Sequence, residues 1–175
     1  MCKKNIILLT GFMAAGKTTA GRALSAAFDL PFIDLDQKIE EAAGLTISSL
    51  FASQGEAYFR QLETRLFAEV CGKSQKFTIV AAGGGLPMQP ANHQDMQNCH
   101  VIFLDVPWEI IAARLNKSAK NRPLLNDSEP DAARALWQKR RPLYLKVADF
   151  VIKESDQLSE LIRQIITGAT NDETE

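Results

Sequence analysis

The stretch "NIILLTGFMAAGKTT", residues 5–19, restricts this chain more than any other. It matches the pattern G-x-x-x-x-G-K-[ST] at Gly11, Gly16, Lys17 and Thr18. Its outline is also that of a secretory leader, with Lys3 and Lys4, a short apolar run, then the small residues Ala14, Ala15 and Gly16. A leader has no use for a break at Thr10-Gly11 in its apolar core, nor for Lys17, Thr18 and Thr19 behind it. A phosphate-binding loop needs each of these. Residues 5–10 suit a buried parallel strand, and the glycines let successive N–H groups converge on one point. The following "KTTAGRALSAAF" carries Ala20, Leu24, Ala27 and Phe28 at helical spacing, so the loop opens onto a helix N-terminus. Unpaired N–H groups and the helix dipole attract anions there. In that setting Lys17 reaches the outer phosphates and the Thr18 hydroxyl binds magnesium.

The remaining pattern alternates strand and helix. Strands are predicted at 5–10, 31–35, 77–82, 100–106 and 149–153. Helices are predicted near 16–28, 37–43, 46–53, 56–72, 90–97, 108–117, 130–147 and 155–167. "FTIVAA" and "HVIFLDV" are continuous apolar runs, as strands become when helices cover both faces of a sheet. Repeated β-α units of this kind predict an α/β fold, a doubly wound five-stranded parallel sheet with helices on both faces. Ligands in such sheets bind at the carboxyl ends of the strands. One domain is expected over 1–168, with a polar tail at 169–175. The insert "NKSAKNRPLLNDSEPD" is long, polar and proline-containing, and predicts a mobile lid over about 116–130.

Composition narrows the partners. With 20 basic and 21 acidic residues the net charge is −1, which leaves no basic excess for nucleic acid or an anionic membrane surface. No apolar run approaches the length of a membrane span. Cys2, Cys71 and Cys99 are odd in number and far apart in sequence, so neither a disulfide framework nor a metal cluster is expected. A cytoplasmic location follows as the expectation. His93 and His100 lack neighbouring ligands in the sequence, which argues against a metal role.

Several residues carry potential chemistry. Asp34 and Asp36, in "FIDLD", are two apart, so on an extended strand they share one face. They read equally well as a hard-cation ligand with a base, or as a helix cap supplied by Asp36. Arg60 and Glu63 sit three apart on an amphipathic helix, which by itself describes a solvated ion pair. Gly83, Gly84 and Gly85 follow the third strand, and three glycines there imply close approach to the backbone. Arg122 in the polar insert, and Arg140 and Arg141 in "KRRPLY", read in isolation as surface arginines.

In order, "GFMAAGKTT", "DLD", "GEAYFRQLE", "GGG", "RPLL" and "RRPLY" resemble the shikimate kinase family, and the resemblance spans Ile6 to about Ile166. It implies the P-loop NTPase fold of the nucleoside-monophosphate-kinase type. It also implies transfer of the ATP γ-phosphoryl group to the 3-hydroxyl of shikimate, a step of aromatic amino-acid biosynthesis. On this resemblance Gly11, Ala14, Ala15, Gly16, Lys17, Thr18 and Thr19 bind nucleotide, with Arg114 beside the adenine and Arg122 on the phosphates. Thr18 and, through water, Asp34 hold magnesium. Asp36 contacts the substrate hydroxyls and acts as the base, with Lys17 and Arg122 completing the catalytic set. Arg60 and Arg140 bind the substrate carboxylate, and Gly83, Gly84 and Gly85 contact the substrate. ATP, Mg2+ and shikimate are the ligands implied, with a monomer and no nucleic acid or membrane partner.

Two positions depart from the family pattern. Ala14 stands where glycine is usual, and "KESDQLSEL" lacks the proline or arginine often found before the last helix, which leaves nucleotide preference open. Two other functions fit parts of the pattern: a gluconate-type kinase on the same scaffold, and a nucleotide-dependent regulatory module without catalysis. The arginine pair and triple glycine favour a cyclic hydroxy-carboxylate over the first. Lys17, Thr18, Asp34, Asp36 and Arg122 together argue against the second.

Overall fold

The computed structural model describes residues 4–119, 130–153 and 155–171. Five parallel strands, β1 (Ile6–Thr10), β2 (Phe32–Asp34), β3 (Thr78–Ala81), β4 (Cys99–Leu104) and β5 (Phe150–Ile152), form one sheet in the order β2-β3-β1-β4-β5. The helices are α1 (Lys17–Phe28), α2 (Leu35–Ala43), α3 (Ile47–Lys73), α4 (His93–Met96), α5 (Trp108–Ala119), α6 (Pro130–Val147) and α7 (Ser155–Asn171). Short 3-10 turns occupy Leu86–Met88 and Pro90–Asn92.

The central strand explains why the apolar runs do not alternate. Ile6 and Leu8 enter one core with Leu35, Phe59 and Leu66, beneath α2 and α3. Ile7 and Leu9 enter a second core with Leu24, Leu158 and Ile162, beneath α1 and α7. Every residue of β1 is buried, so neither face tolerates a polar side chain without a partner. Thr10 meets that condition by donating its hydroxyl to the Ile102 carbonyl. A third cluster of Phe12, Phe103, Ile111 and Tyr144 joins the loop after β1 to α5 and α6, with Trp108 and Trp137 packed around it.

Predicted and observed elements differ at a few places. The two helices predicted at 46–53 and 56–72 are the two arms of α3, which breaks at Gly55, where φ is 80°. The helix predicted at 90–97 is a 3-10 turn followed by a four-residue α4. α7 runs to Asn171, four residues beyond the helix end predicted at 167. Residues 116–119 of the expected lid belong to α5 and Pro130 starts α6; the rest of that segment, Arg122 included, lies outside the described residues. Cys71 and Cys99, remote in sequence, bring their sulfurs to 3.9 Å as free thiols. Among the described residues, no helix is long and apolar enough to cross a membrane, and no group of three or more His, Cys, Asp or Glu side chains could hold a metal ion.

Candidate active site

β1 delivers the phosphate-binding loop to the carboxyl edge of the sheet. Gly11 and Gly16 adopt φ of 148° and 95°, and a Cβ on Gly11 would stand 3.0 Å from the Leu104 carbonyl oxygen. Ala14 also takes a positive φ, 60°, so alanine is held in a conformation that glycine enters freely. No side chain caps the N-terminus of α1 at Gly16, in contrast to the Asp34 cap of α2 and the Thr46 cap of α3. Its amides are left for an anion. Lys17 Nζ donates to the carbonyls of Gly11 and Phe12, both at 2.9 Å. Burial pushes its pKa down to about 8, against the opposing charges of Asp36 and Asp34. Arg114, reaching across from α5, donates to the Ala14 and Ala15 carbonyls at 2.9 and 3.1 Å and so braces the loop.

The two aspartates separate in role. β2 ends at Asp34 and α2 begins at Leu35, so Asp36 stands in a helical first turn and not beside Asp34 on a strand. Asp34 is the cap: its Oδ1 accepts from the Asp36 and Gln37 amides, while its Oδ2 accepts from Thr18 Oγ1 at 2.7 Å. The capping expected of Asp36 therefore falls to Asp34, whose position precedes the helix. Asp36 is released to face the cleft. Burial raises its pKa, the Asp34 charge adds to the rise, and Lys17 opposes it. A cleft of about 1220 Å³ is walled by Lys17, Thr18, Thr19, Asp34, Asp36, Gly84 and Arg114.

The three glycines each meet a different neighbour. A Cβ on Gly83 would come within 2.8 Å of both Asp36 Oδ1 and Glu63 Oε1. One on Gly84 would touch the Gly11 carbonyl and the Tyr144 hydroxyl, and one on Gly85 would overlap the Arg60 guanidinium. The loop thus lies flat between the carboxylates, the phosphate loop and Arg60.

Arg60 forms the pair with Glu63 that helical spacing allows, at 2.7 Å, but the pair is not solvated: the Glu63 side chain is 0% exposed. Glu56 takes Arg60 Nε and Nη2 at 3.2 and 3.1 Å, and the Phe59 ring lies under the guanidinium. Burial pushes the Glu63 pKa up while its hydrogen bond to Arg60 pulls it down, and the Arg140 charge from α6 acts in the same direction as Arg60. Among the described residues, Glu63 Oε1 has no hydrogen-bond partner. Arg140 also lies beside the Tyr144 hydroxyl, which donates to the Gly84 carbonyl. Arg60 and Arg140 are thereby gathered around Glu63 and Tyr144, next to Asp36 and the glycine loop.

Glu63 and Tyr144 also belong to this constellation, and the local sequence marks neither as a site residue. Glu63 looked like half of a surface pair, and nothing local to "GEAYFRQLE" shows that the residue turns toward Gly83. Tyr144 stands four residues after Arg140, which places the two on one helical face, a usable signal.

A family model described as shikimate kinase matches residues 13–170. A shikimate kinase from Synechococcus sp. (strain JA-3-3Ab) is 38% identical over 165 residues, covering 91% of this chain and 86% of that protein. One from Dehalococcoides mccartyi (strain ATCC BAA-2266 / KCTC 15142 / 195) is 41% identical over 150 residues, covering 85% and 84%. Among solved structures, shikimate kinase from Acinetobacter baumannii in complex with shikimate superposes with a TM-score of 0.81 at 36% identity, over 94% of this chain and 93% of that one. With the five-stranded parallel sheet and the assembled loop, carboxylates and arginines already described, these matches are sufficient: the chain belongs to the shikimate kinase family.

Proposed function

We propose that the constellation around Asp36 is the site at which this enzyme phosphorylates the 3-hydroxyl of shikimate with ATP. The observation that supports the residue assignment most is the placement of Asp36. It faces the cleft beside Lys17, backs onto Gly83, and is freed from helix capping by Asp34. In this reading the α1 amides, Lys17 and the braced loop of Gly11, Ala14, Ala15, Gly16 and Thr19 bind the nucleotide phosphates. Arg114 lines the nucleotide side of the cleft. Asp36 accepts the proton of the substrate hydroxyl as the oxygen attacks the γ-phosphorus and the bond to the β-γ bridging oxygen breaks, releasing ADP. Arg60 and Arg140 take the acceptor carboxylate, for which the planar guanidinium offers paired hydrogen bonds. Gly83, Gly84 and Gly85 bring their backbone against the substrate ring. Arg122, outside the described residues, is assigned to the phosphates on the sequence alone.

The oxygen donors fit a magnesium ion. The Thr18 hydroxyl and Asp34 carboxylate lie 2.7 Å apart beside the phosphate loop, and a hard cation that retains several waters asks for no more from the protein. Thr18 would hold the ion directly and Asp34 through water; when bound, it neutralises phosphate charge. The enzyme is read as a cytoplasmic monomer acting on free small molecules. A gluconate-type kinase and a non-catalytic module are disfavoured, since the relatives matched over 86% and 84% of their own length are shikimate kinases.

Asp36→Asn tests the base. The side chain keeps its shape and loses its basicity, so turnover should fall by roughly 10²-fold or more while ATP affinity changes little. Turnover within twofold of the parent would remove Asp36 from that role.

A further inference from the structure

Asp105 directly follows β4, and its N–H donates to the Ile152 carbonyl at 2.9 Å, which ties its backbone to β5. Its side chain is 5% exposed and accepts from Arg141 Nε at 2.8 Å and Nη2 at 2.7 Å. This is a bidentate pair, with a fixed direction as well as a charge. Arg141 is on α6 and immediately precedes Pro142, which has no N–H to donate to the preceding turn. The turn of α6 that carries Arg140 therefore lacks one intrahelical bond, which gives external ties more weight there.

Two other contacts hold this part of α6. Tyr144 stacks on Phe103 of β4 with ring centroids 5.0 Å apart, and its hydroxyl donates to Gly84. Stacking sets the distance between α6 and the sheet, but it is weakly directional. The paired bonds of Arg141, together with the Tyr144–Gly84 hydrogen bond, constrain rotation about the helix axis. At a helix radius of roughly 5–6 Å, turning α6 by about 10° displaces a rim group by about 1 Å. Misplacement of that size is costly to a positioned substrate.

We propose that Asp105 and Arg141 form a positioning clamp that holds α6 in the rotation that aims Arg140 at the acceptor carboxylate. Neither residue touches substrate; both act through Arg140, so the inference rests on the carboxylate-binding role proposed for that residue. The clamp controls affinity for the acceptor; the phosphate loop has its own ties from Lys17 and Arg114, so the nucleotide side is left unaffected.

The test is a double-mutant cycle on Asp105→Asn and Arg140→Ala, with folding checked by circular dichroism and shikimate and ATP varied separately. Asp105→Asn should raise the shikimate KM roughly fivefold to tenfold and leave the ATP KM within twofold. In the Arg140→Ala background, the same substitution should change the shikimate KM by less than twofold. An equal rise in both backgrounds overturns the clamp, because Asp105 would then act independently of Arg140. Should Arg140→Ala alone leave the shikimate KM unchanged, the carboxylate role itself fails and takes the clamp with it, a signature distinct from the first. Arg141→Lys keeps the charge but cannot form the paired bonds; it should raise the shikimate KM selectively, and an unchanged value also overturns the proposal.

Discussion

Arg60 and Glu63 are joined at 2.7 Å across one turn of α3, with the Glu63 side chain fully buried and the Arg60 side chain 16% exposed. A pair that helical spacing would place in solvent has been turned inward against Gly83 and Gly85. Its energetics change accordingly. An exposed pair contributes at most about 1 kcal/mol, whereas removing one partner of a buried pair strands the other charge.

Glu63→Ala removes the buried partner and leaves Arg60 with Glu56 alone, so it should lower unfolding free energy by about 1.5–3 kcal/mol. Glu56→Ala removes the other partner of Arg60, whose side chain is 65% exposed, and should cost less than about 1 kcal/mol. Urea denaturation of the two variants measures both. Equal losses would mean that Arg60 is neutralised as much by the exposed carboxylate as by the buried one.

Ala14 gives a prediction of opposite sign. At φ 60° its Cβ crowds the following backbone, and a left-handed alanine costs roughly 1–2 kcal/mol. Ala14→Gly relieves that strain and gives back part of the gain through the freer unfolded chain. A net stabilisation of about 0.5–1 kcal/mol is expected, read as a higher denaturation midpoint with unchanged m. A destabilised variant would show that the Ala14 methyl group contributes packing that outweighs its backbone cost.

Much of this was legible in the chain itself. β1 and β4 announce themselves as unbroken apolar runs because both sheet faces are covered, and Gly11, Gly16, Lys17 and Thr18 fix the loop between strand and helix. Which of Asp34 and Asp36 caps α2 was not legible from the residues alone. Either can cap a helix, and the choice depends on where β2 stops, which pairing with β3 decides. The Asp105–Arg141 pair, 36 residues apart, and the approach of Cys71 to Cys99 are likewise products of tertiary placement. The break in α3 at Gly55 was visible, since glycine before "EAYFRQLE" interrupts an otherwise helical pattern.

The pKa of Lys17 produces two opposite pH trends. Burial lowers it from 10.5 to about 8 in the folded protein. Between these values the unfolded chain holds a proton that the folded one has released, so stability of the ligand-free protein should rise with pH from about 8 to 10.5. On the phosphate-binding role proposed for Lys17, which requires the charged ammonium, ATP affinity should instead fall through the same window, by roughly tenfold at pH 9. Calorimetric titration with ATP and denaturation without it, over one pH series, measure the two slopes. A flat affinity through pH 9 would show that Lys17 stays charged in the free enzyme.

The most direct measurement of the central claim is ADP release from ATP and magnesium by the purified protein, with shikimate, with gluconate, and with no acceptor. Rapid release with shikimate, accompanied by phosphate on its 3-hydroxyl, and near-baseline release in the other two reactions is the predicted result. Faster turnover of gluconate, or release that ignores the acceptor, would contradict the reading of Arg60, Arg140 and the glycine loop as a shikimate site.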